Sequence, residues 1–313
     1  MRAYQLTRQE TWALTTLFNL PIQQGSALGE WLGKKDTPSN QEIESWVPQA
    51  IETLDKKGYS TSNKGKRGLS IDLIESLMLA AVGQKHIFTT LRTNLEAVST
   101  QFLLAGSGLV QYGYEQDQII LHSAQQLEEM LPNLLPDWLC IEPGEAASID
   151  MPQSAFLLFK QASLQRDISF ILREDGSETF RQDDLERTFA RDNGWIDVFH
   201  ALGIKGVKQI NNISIPAQLE SLLTIGYLER ANPSQLQIGV AGTSLAESLS
   251  DPEQVSITIG FTSLHPERFS TSVFLVGANR LFQLDFLGES IHITHLRSRI
   301  EALGWIRSLV TVS

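Results

Sequence analysis

A single cysteine, Cys140, occurs in 313 residues, so no internal disulfide can staple the chain, and a reducing cytoplasm is the expected setting. Cations are scarce as well: 25 Lys and Arg stand against 36 Asp and Glu, a formal charge of -11. A surface of that sign repels nucleic acid and anionic lipid everywhere except at a local basic patch. No uncharged apolar run reaches membrane-spanning length, and the opening Met-Arg-Ala-Tyr-Gln-Leu-Thr-Arg-Gln-Glu has no apolar core of signal-peptide length. Neither export nor membrane insertion is therefore expected. Glycine and proline, at 22 and 11, are too few for a collagen-like or low-complexity chain. What is present is 42% hydrophobic residues, enough to bury the core of one large domain or of two packed units.

Self-similarity organises the rest. The stretch Ser99-Thr100-Gln101-Phe102-Leu103-Leu104-Ala105-Gly106 is matched by Ser270-Thr271-Ser272-Val273-Phe274-Leu275-Val276-Gly277, 171 positions later. After one inserted residue, Leu109-Val110-Gln111-Tyr112 faces Leu281-Phe282-Gln283-Leu284, and Ile119 and Leu121 face Ile291 and Ile293. Apolar alternation predicts strands over 85–92, 97–105, 108–114 and 118–122 in the first half, and over 254–263, 269–277, 280–287 and 290–294 in the second. Ser107-Gly108, Gln116-Asp117, Ala278-Asn279 and Gly288-Glu289 supply tight turns, so each half reads as an antiparallel meander. The period then changes to that of a helix: Leu127, Met130, Leu131 and Leu134 share one face, as do Leu296, Ile300, Leu303 and Ile306.

Upstream, a helix leading to Gly58-Tyr59 corresponds to one leading to Gly226-Tyr227, 168 positions on. The glycine can stop the helix in a left-handed conformation, and the aromatic begins a short strand. Second short strands near Gly68-Leu69 and Leu236 to Gly239, then helices over 72–82 and 244–249, complete a winged-helix outline. The expectation is an α+β chain, internally duplicated. Each half is a winged-helix-like part, a four-stranded meander and a closing helix, and the halves share a pseudo-twofold central sheet. The halves are placed at 1–140 and 153–313, with the Pro-containing stretch 136–153 as connector and a single packed globular unit as the alternative.

Chemistry-bearing constellations are few. His292 and His295 form the one close histidine pair, but no cysteine or carboxylate completes a zinc set, and no His-Glu-x-x-His or paired Cys-x-x-Cys occurs. No Gly-x-Ser-x-Gly presents a nucleophile. Cys140, beside Trp138 and Leu139, reads as a buried hydrophobe. Gly106-Ser107-Gly108 leads into a strand rather than a helix, so it is a hairpin turn and not a phosphate cradle. The acidic segment 174–186 lacks calcium-loop spacing and reads as a loop entering an acid-rich first helical turn. No catalytic residue, metal or cofactor is expected, and a binding function follows.

Two surfaces could bind. Val110, Tyr112 and Tyr114, like Phe282, Leu284 and Phe286, form apolar sides that should pack on helices, while Gln111, Gly113, Gln283 and Asp285 face the other way on a partly open platform. Gln111, Gln283 and Asp285, with Leu264, Pro266 and Arg268 of the loop Leu264-His265-Pro266-Glu267-Arg268, are the candidate contacts for a helical protein partner. The alternative is a winged-helix DNA-binding regulator using Lys56, Lys57, Lys64, Lys66 and Arg67 at the first wing. Against it, the second wing carries no such cluster, and residues 1–156 still hold 11 cations against 18 anions. A solvated charged loop accounts for the cluster, and nucleic acid is not the expected partner.

The order of elements resembles the EspG-like chaperones of type VII (ESX) secretion. The resemblance rests on Leu6-Thr7 entering a helix and on the strand pair 101–105 and 109–114. It rests also on Asp117-Gln118-Ile119-Ile120-Leu121-His122 before a helix ending Leu131-Pro132-Asn133-Leu134-Leu135-Pro136, and on a second meander closing the chain. It implies an antiparallel sheet flanked by two helical subdomains. It also implies a cytoplasmic chaperone holding the aggregation-prone tip of a helical secretion substrate, a PE-PPE-like pair. No individual contact residue is carried over.

Overall fold

The computed structural model of the chain describes residues 2–33, 37–63, 66–93, 95–135, 141, 147–172, 177–189, 214–264 and 267–311. Strand β1 (Ala3–Thr7) runs directly into helix α1 (Arg8–Leu17). Thr7 caps that helix. Its hydroxyl accepts from the Glu10 N–H at 3.2 Å, and the Glu10 carboxylate accepts from the Thr7 N–H at 2.7 Å, so two donors left over at the helix start are satisfied reciprocally. Helices α2 (Ala27–Leu32) and α3 (Asn40–Lys56) follow, then strands β2 (Ser60–Asn63) and β3 (Lys66–Leu69) and helix α4 (Ile71–Val82). The meander is β4 (Lys85–Arg92), β5 (Ala97–Ala105), β6 (Gly108–Glu115) and β7 (Gln118–His122), closed by the short β8 (Gln125–Gln126) and α5 (Leu127–Leu134).

The second half opens on β9 (Ala147–Pro152) and α6 (Gln153–Leu172), followed by β10 (Phe180–Arg181) and α7 (Gln182–Phe189). Then come α8 (Ile215–Thr224), β11 (Leu228–Asn232), β12 (Gln235–Ile238), a 3-10 turn at Val240–Gly242 and α9 (Thr243–Ser250). It ends with β13 (Val255–Leu264), β14 (Glu267–Gly277), β15 (Arg280–Leu287), β16 (Ser290–Leu296) and α10 (Arg299–Thr311). All eight meander strands expected from alternation are present within a few residues of their expected ends.

These strands form one mixed α+β architecture around a large antiparallel sheet, in the order β1-β7-β6-β5-β4-β13-β14-β15-β16-β9, with β8 beside β6. The two meanders meet at β4 and β13, which pair from Lys85↔Ser263 to Arg92↔Ser256. Each outer edge is the strand that precedes its half's first long helix. One expectation changes here. The stretch 136–153 is not all connector, because Ala147–Pro152 pairs with β16 from His295↔Ala147 to Ser290↔Pro152. Leu6 and Thr7 lead into a helix as expected, and they also end a strand paired with β7.

The sequence register between the halves also shifts by one. The β5–β6 hairpin closes at Ala105↔Gly108 and the β14–β15 hairpin at Gly277↔Arg280, so equivalent positions in these strands are 172 apart and no residue is inserted between them. By contrast, β13 lies on β14 two residues out of step with β4 on β5, Lys85 facing Leu104 and Val255 facing Val276. The distinction is physical, because a one-residue slip turns every side chain to the opposite face. Phe102 and Leu104 lie in the same core as Phe274 and Val276, whereas Leu103 and Leu275 face away from it. Positive φ at Ala278 (47°) and Asn279 (59°) meets the demand that Gly106 (59°) satisfies in the first hairpin.

Three hydrophobic clusters divide the two faces. On one face, Phe102, Leu104, Ile87, Ile257, Ile259, Phe261, Phe274 and Leu281 form a continuous apolar bed under α5 and α10. The two closing helices touch, and the Arg299 guanidinium caps α5 by donating to the carbonyls of Leu135 at 2.8 Å and Pro132 at 2.6 Å. The sequence placed Leu296 and Ile300 on the inner face of the last helix. Leu296 instead ends β16 in the core and Ile300 is 81% exposed, because α10 begins at Arg299 and turns Ala302 and Ile306 inward. On the opposite face, α1, α2 and α4 pack on Leu103, Val110, Tyr112, Ile119 and Leu121, while α6, α8 and α9 pack on Val273, Leu275, Phe282, Leu284, Ile291 and Ile293.

Helix, strand, strand, helix recurs in each half with matching hydrogen bonds at its first corner. Gly58 and Gly226 both have φ of 73°. The N–H of Tyr59 bonds to the Leu54 carbonyl at 2.9 Å, and that of Tyr227 to Leu222 at 3.0 Å. Leu54 and Leu222 are both fully buried, so each corner is anchored by an apolar side chain as well as by a backbone cap.

Candidate interaction surface

Among the described residues, neither lobe cluster contains a residue of β4 or β13. The middle of that face is therefore a band of sheet between two helical lobes. Cross-strand partners share a face, which places His86, Phe88, Thr90, Thr258, Gly260 and Thr262 along the band, flanked by Ser99 and Gln101 on β5 and Thr271 on β14. Its floor is mostly hydroxyls around a single ring. Thr90 and Ser99 share a hydrogen bond of 2.9 Å, while the Thr271 hydroxyl is buried with no partner. Phe88 lies across Gly260: a Cβ there would stand 1.7 Å from the ring, so only glycine admits the aromatic at the centre of the band. His86 ties the floor to the first lobe, its Nε2 2.6 Å from the Gly25 carbonyl and its Nδ1 3.0 Å from the Tyr112 hydroxyl.

The apolar sides foreseen in the sequence pack as expected: Val110 and Tyr112 are buried in the first lobe, Tyr114 stacks on Trp31 at 5.4 Å, and Phe282 and Leu284 are buried in the second. Burial pushes the Tyr112 and Tyr114 hydroxyls well above the ordinary phenol range. The platform expected on the reverse side does not hold as an open face. Gln283 is fully buried, because α5 and α10 need an apolar bed and lie on that side. Its amide donates to Asp285 at 2.7 Å while its carbonyl oxygen has no partner. Asp285, half-buried, also accepts from the Ser272 hydroxyl, and Gln111 is half-buried at the equivalent position. Leu264, paired with Glu267, and Arg268, paired with Ser263, lie near the tip of the β13–β14 hairpin, away from these three, and Pro266 lies outside the described residues. The candidate contacts thus divide between the reverse face and a hairpin tip, and the band itself was not foreseen. The signal for it was the recurrence of hydroxyl residues at alternate positions of β13, Ser256, Thr258 and Thr262.

The basic wing is partly neutralised. Lys57 sits 2.8 Å from the Glu10 carboxylate and 3.0 Å from the Gln5 carbonyl, and Lys56 pairs with Glu52 at 2.7 Å. Lys66 and Arg67 lie on β3, and Lys64 is outside the described residues. His292 and His295 point to opposite faces of β16. His292 bonds Asp150 at 2.8 Å, and His295 stacks on Phe282 at 4.7 Å. No group of three His, Cys, Asp or Glu able to hold a metal occurs among the described residues, and Cys140 lies outside them. No helix among the described residues is long and apolar enough to cross a membrane.

No family model matches the sequence, and no curated protein matches it. Among solved structures, the chain is similar to the type VII secretion system chaperone EspG5 of Mycobacterium tuberculosis, seen in complex with the PE25-PPE41 dimer. The identity is 8% and the TM-score 0.43, over 99% of this chain and 95% of that one. A likeness at that level carries no argument about function, which rests on this chain's own residues.

Proposed function

We propose that the protein is a non-catalytic cytoplasmic chaperone or adaptor that holds a helical protein partner along the band formed by β4 and β13. The observation that supports this reading is the width of sheet left between the lobes. Strands β5, β4, β13 and β14 span three inter-strand spacings, about 14 Å, and an α-helix with its side chains is about 10–12 Å across. One helix, or the edge of a helical pair, fits that width, with Phe88 as an apolar contact and the hydroxyls of Ser99, Thr90 and Thr262 beside it. Of the polar groups on the band, His86 braces the lobe, and Thr90 and Ser99 bond each other. The resemblance in element order extends the reading to a type VII secretion substrate as the partner.

On the same reading, the halves are copies of one winged-helix-like unit plus meander, joined about a pseudo-twofold axis. The spacing of 172 between β5–β7 and β14–β16 and the matched glycine corners support this. Traced through the ladders to β5 and β14, the equivalent of Thr89 is Ile259, 170 positions on, and these two pair with each other, so the axis passes through the β4–β13 pair.

The test is a nuclease-treated pull-down from native lysate at moderate salt. A stoichiometric helical protein should be retained by the wild type and lost with Thr90→Arg and Thr262→Arg, both half-buried on the band. Retention unchanged by those substitutions, or recovery of nucleic acid alone and its loss with Lys56→Gln and Arg67→Gln, would overturn the reading.

A further inference from the structure

The two lobes meet the sheet differently at its outer edges, and the difference leaves a pocket in one of them. In the first lobe the corner between the edge strand and Tyr59 is filled. Tyr4, paired with Leu121, is fully buried. Its ring meets that of Tyr59 edge-on at 5.1 Å, and its hydroxyl lies 3.4 Å from the Ser70 hydroxyl. Arg2, opposite Ser123, closes the mouth: its guanidinium stands 5.5 Å from both rings and donates to the Gly58 carbonyl. Ser123 is itself satisfied by the Arg2 backbone.

Among the described residues, neither plug recurs at the matching corner of the second lobe. Ile149, paired with Ile293, stands where Tyr4 does, and Ala147, opposite His295, where Arg2 does. A pocket of 330 Å³ results, walled by Ile149, Ile225, Leu245, Phe282 and Ile293 and opening beside Ala147. That volume lies at the lower end of the range for small-molecule sites. One polar atom inside is unsatisfied: His295 Nε2 is buried with no hydrogen-bond partner, on a ring stacked against Phe282. Tyr227 also lines the pocket, and its hydroxyl lacks the backbone partner, Gln5, that Tyr59 has in the first lobe. A buried polar atom without a partner costs free energy unless something occupies the site and bonds to it.

We propose that this pocket binds a small, uncharged aromatic molecule carrying one hydrogen-bonding group, of the class of simple phenols and indole. The apolar walls and the Phe282–His295 ring stack take the ring, and His295 Nε2 meets the single polar group. Among the described residues no cation or carboxylate lines the pocket, so none of them compensates a charged ligand. Burial first, and Arg280 second, hold the His295 pKa below the ordinary range, which keeps the imidazole neutral and able to bond such a group.

The test follows the His295 ring in nitrogen-detected NMR spectra of the full chain while p-cresol and indole are added. A saturable shift of its Nε2 signal is expected, with affinity for toluene, which lacks the polar group, weaker by about tenfold. Ile149→Tyr, which restores the plug of the first lobe, should abolish the shift. Ala147→Trp at the exposed mouth provides the same block should the buried substitution fail to fold. Absence of a saturable shift in the wild type, equal binding of toluene and p-cresol, or binding undiminished in a folded plugged variant would each overturn the proposal.

Discussion

Gly260 shows how one residue sets the character of the band. Its missing side chain is the space in which the Phe88 ring lies, so Gly260→Ala must displace the ring or bend the strand pair. The expected cost is about 1–3 kcal/mol by chemical denaturation, as for other overpacked sites. A Phe88→Ala background should remove most of that cost, and a double-mutant cycle with no coupling would contradict the contact. His295 makes a second residue-scale case. Its folded pKa lies below the ordinary 6.5, so the unfolded chain binds the proton more readily. Stability is then whole above about pH 6.5 and falls as pH drops through and below it. His295→Phe, which keeps a ring against Phe282, should flatten that part of the pH profile. Burial lowers His122 as well, so some slope should survive. A profile unaltered by His295→Phe would show that the site does not resist protonation.

At the scale of elements, Glu10 links three of them. It caps α1 and, nearly buried, holds Lys57 at the end of α3, while Lys57 reaches the Gln5 carbonyl on β1. Replacing Glu10 by Gln removes the charge from hydrogen bonds that a charge strengthens, and a loss of about 1.5–3 kcal/mol is expected. The exposed Lys56–Glu52 pair beside it should contribute nothing measurable. Denaturation midpoints of Glu10→Gln and Glu52→Gln that shift equally would contradict this contrast. Period-two alternation made the eight meander strands legible, since each buries one face against helices. The edge strands β1 and β9 were not, because each is short and β9 follows a proline-containing stretch that reads as loop. Gln283 was misplaced for a similar reason: a polar residue at an alternating position suggests solvent, and only the closing helices above it reveal that it is buried. The pocket in the second lobe was hidden because Ile149 and Ala147 lie 145 positions after Tyr4 and Arg2, off the spacing that relates the meanders.

Over the whole molecule, one sheet carries two kinds of covering. The closing helices α5 and α10 bridge its middle on one face, and two separate lobes cover only its ends on the other. A sheet face dressed this way pairs its central strands on both sides, and on the proposed reading the partner lies on their floor between the lobes. The most direct measurement is hydrogen exchange on the protein with and without the helical partner recovered at stoichiometric ratio. The account expects new protection concentrated in 85–92 and 255–264, in backbone and flanking amides of the band, with α5 and α10 unchanged. Protection confined to the closing helices, or to the basic wing at 60–69, would contradict it.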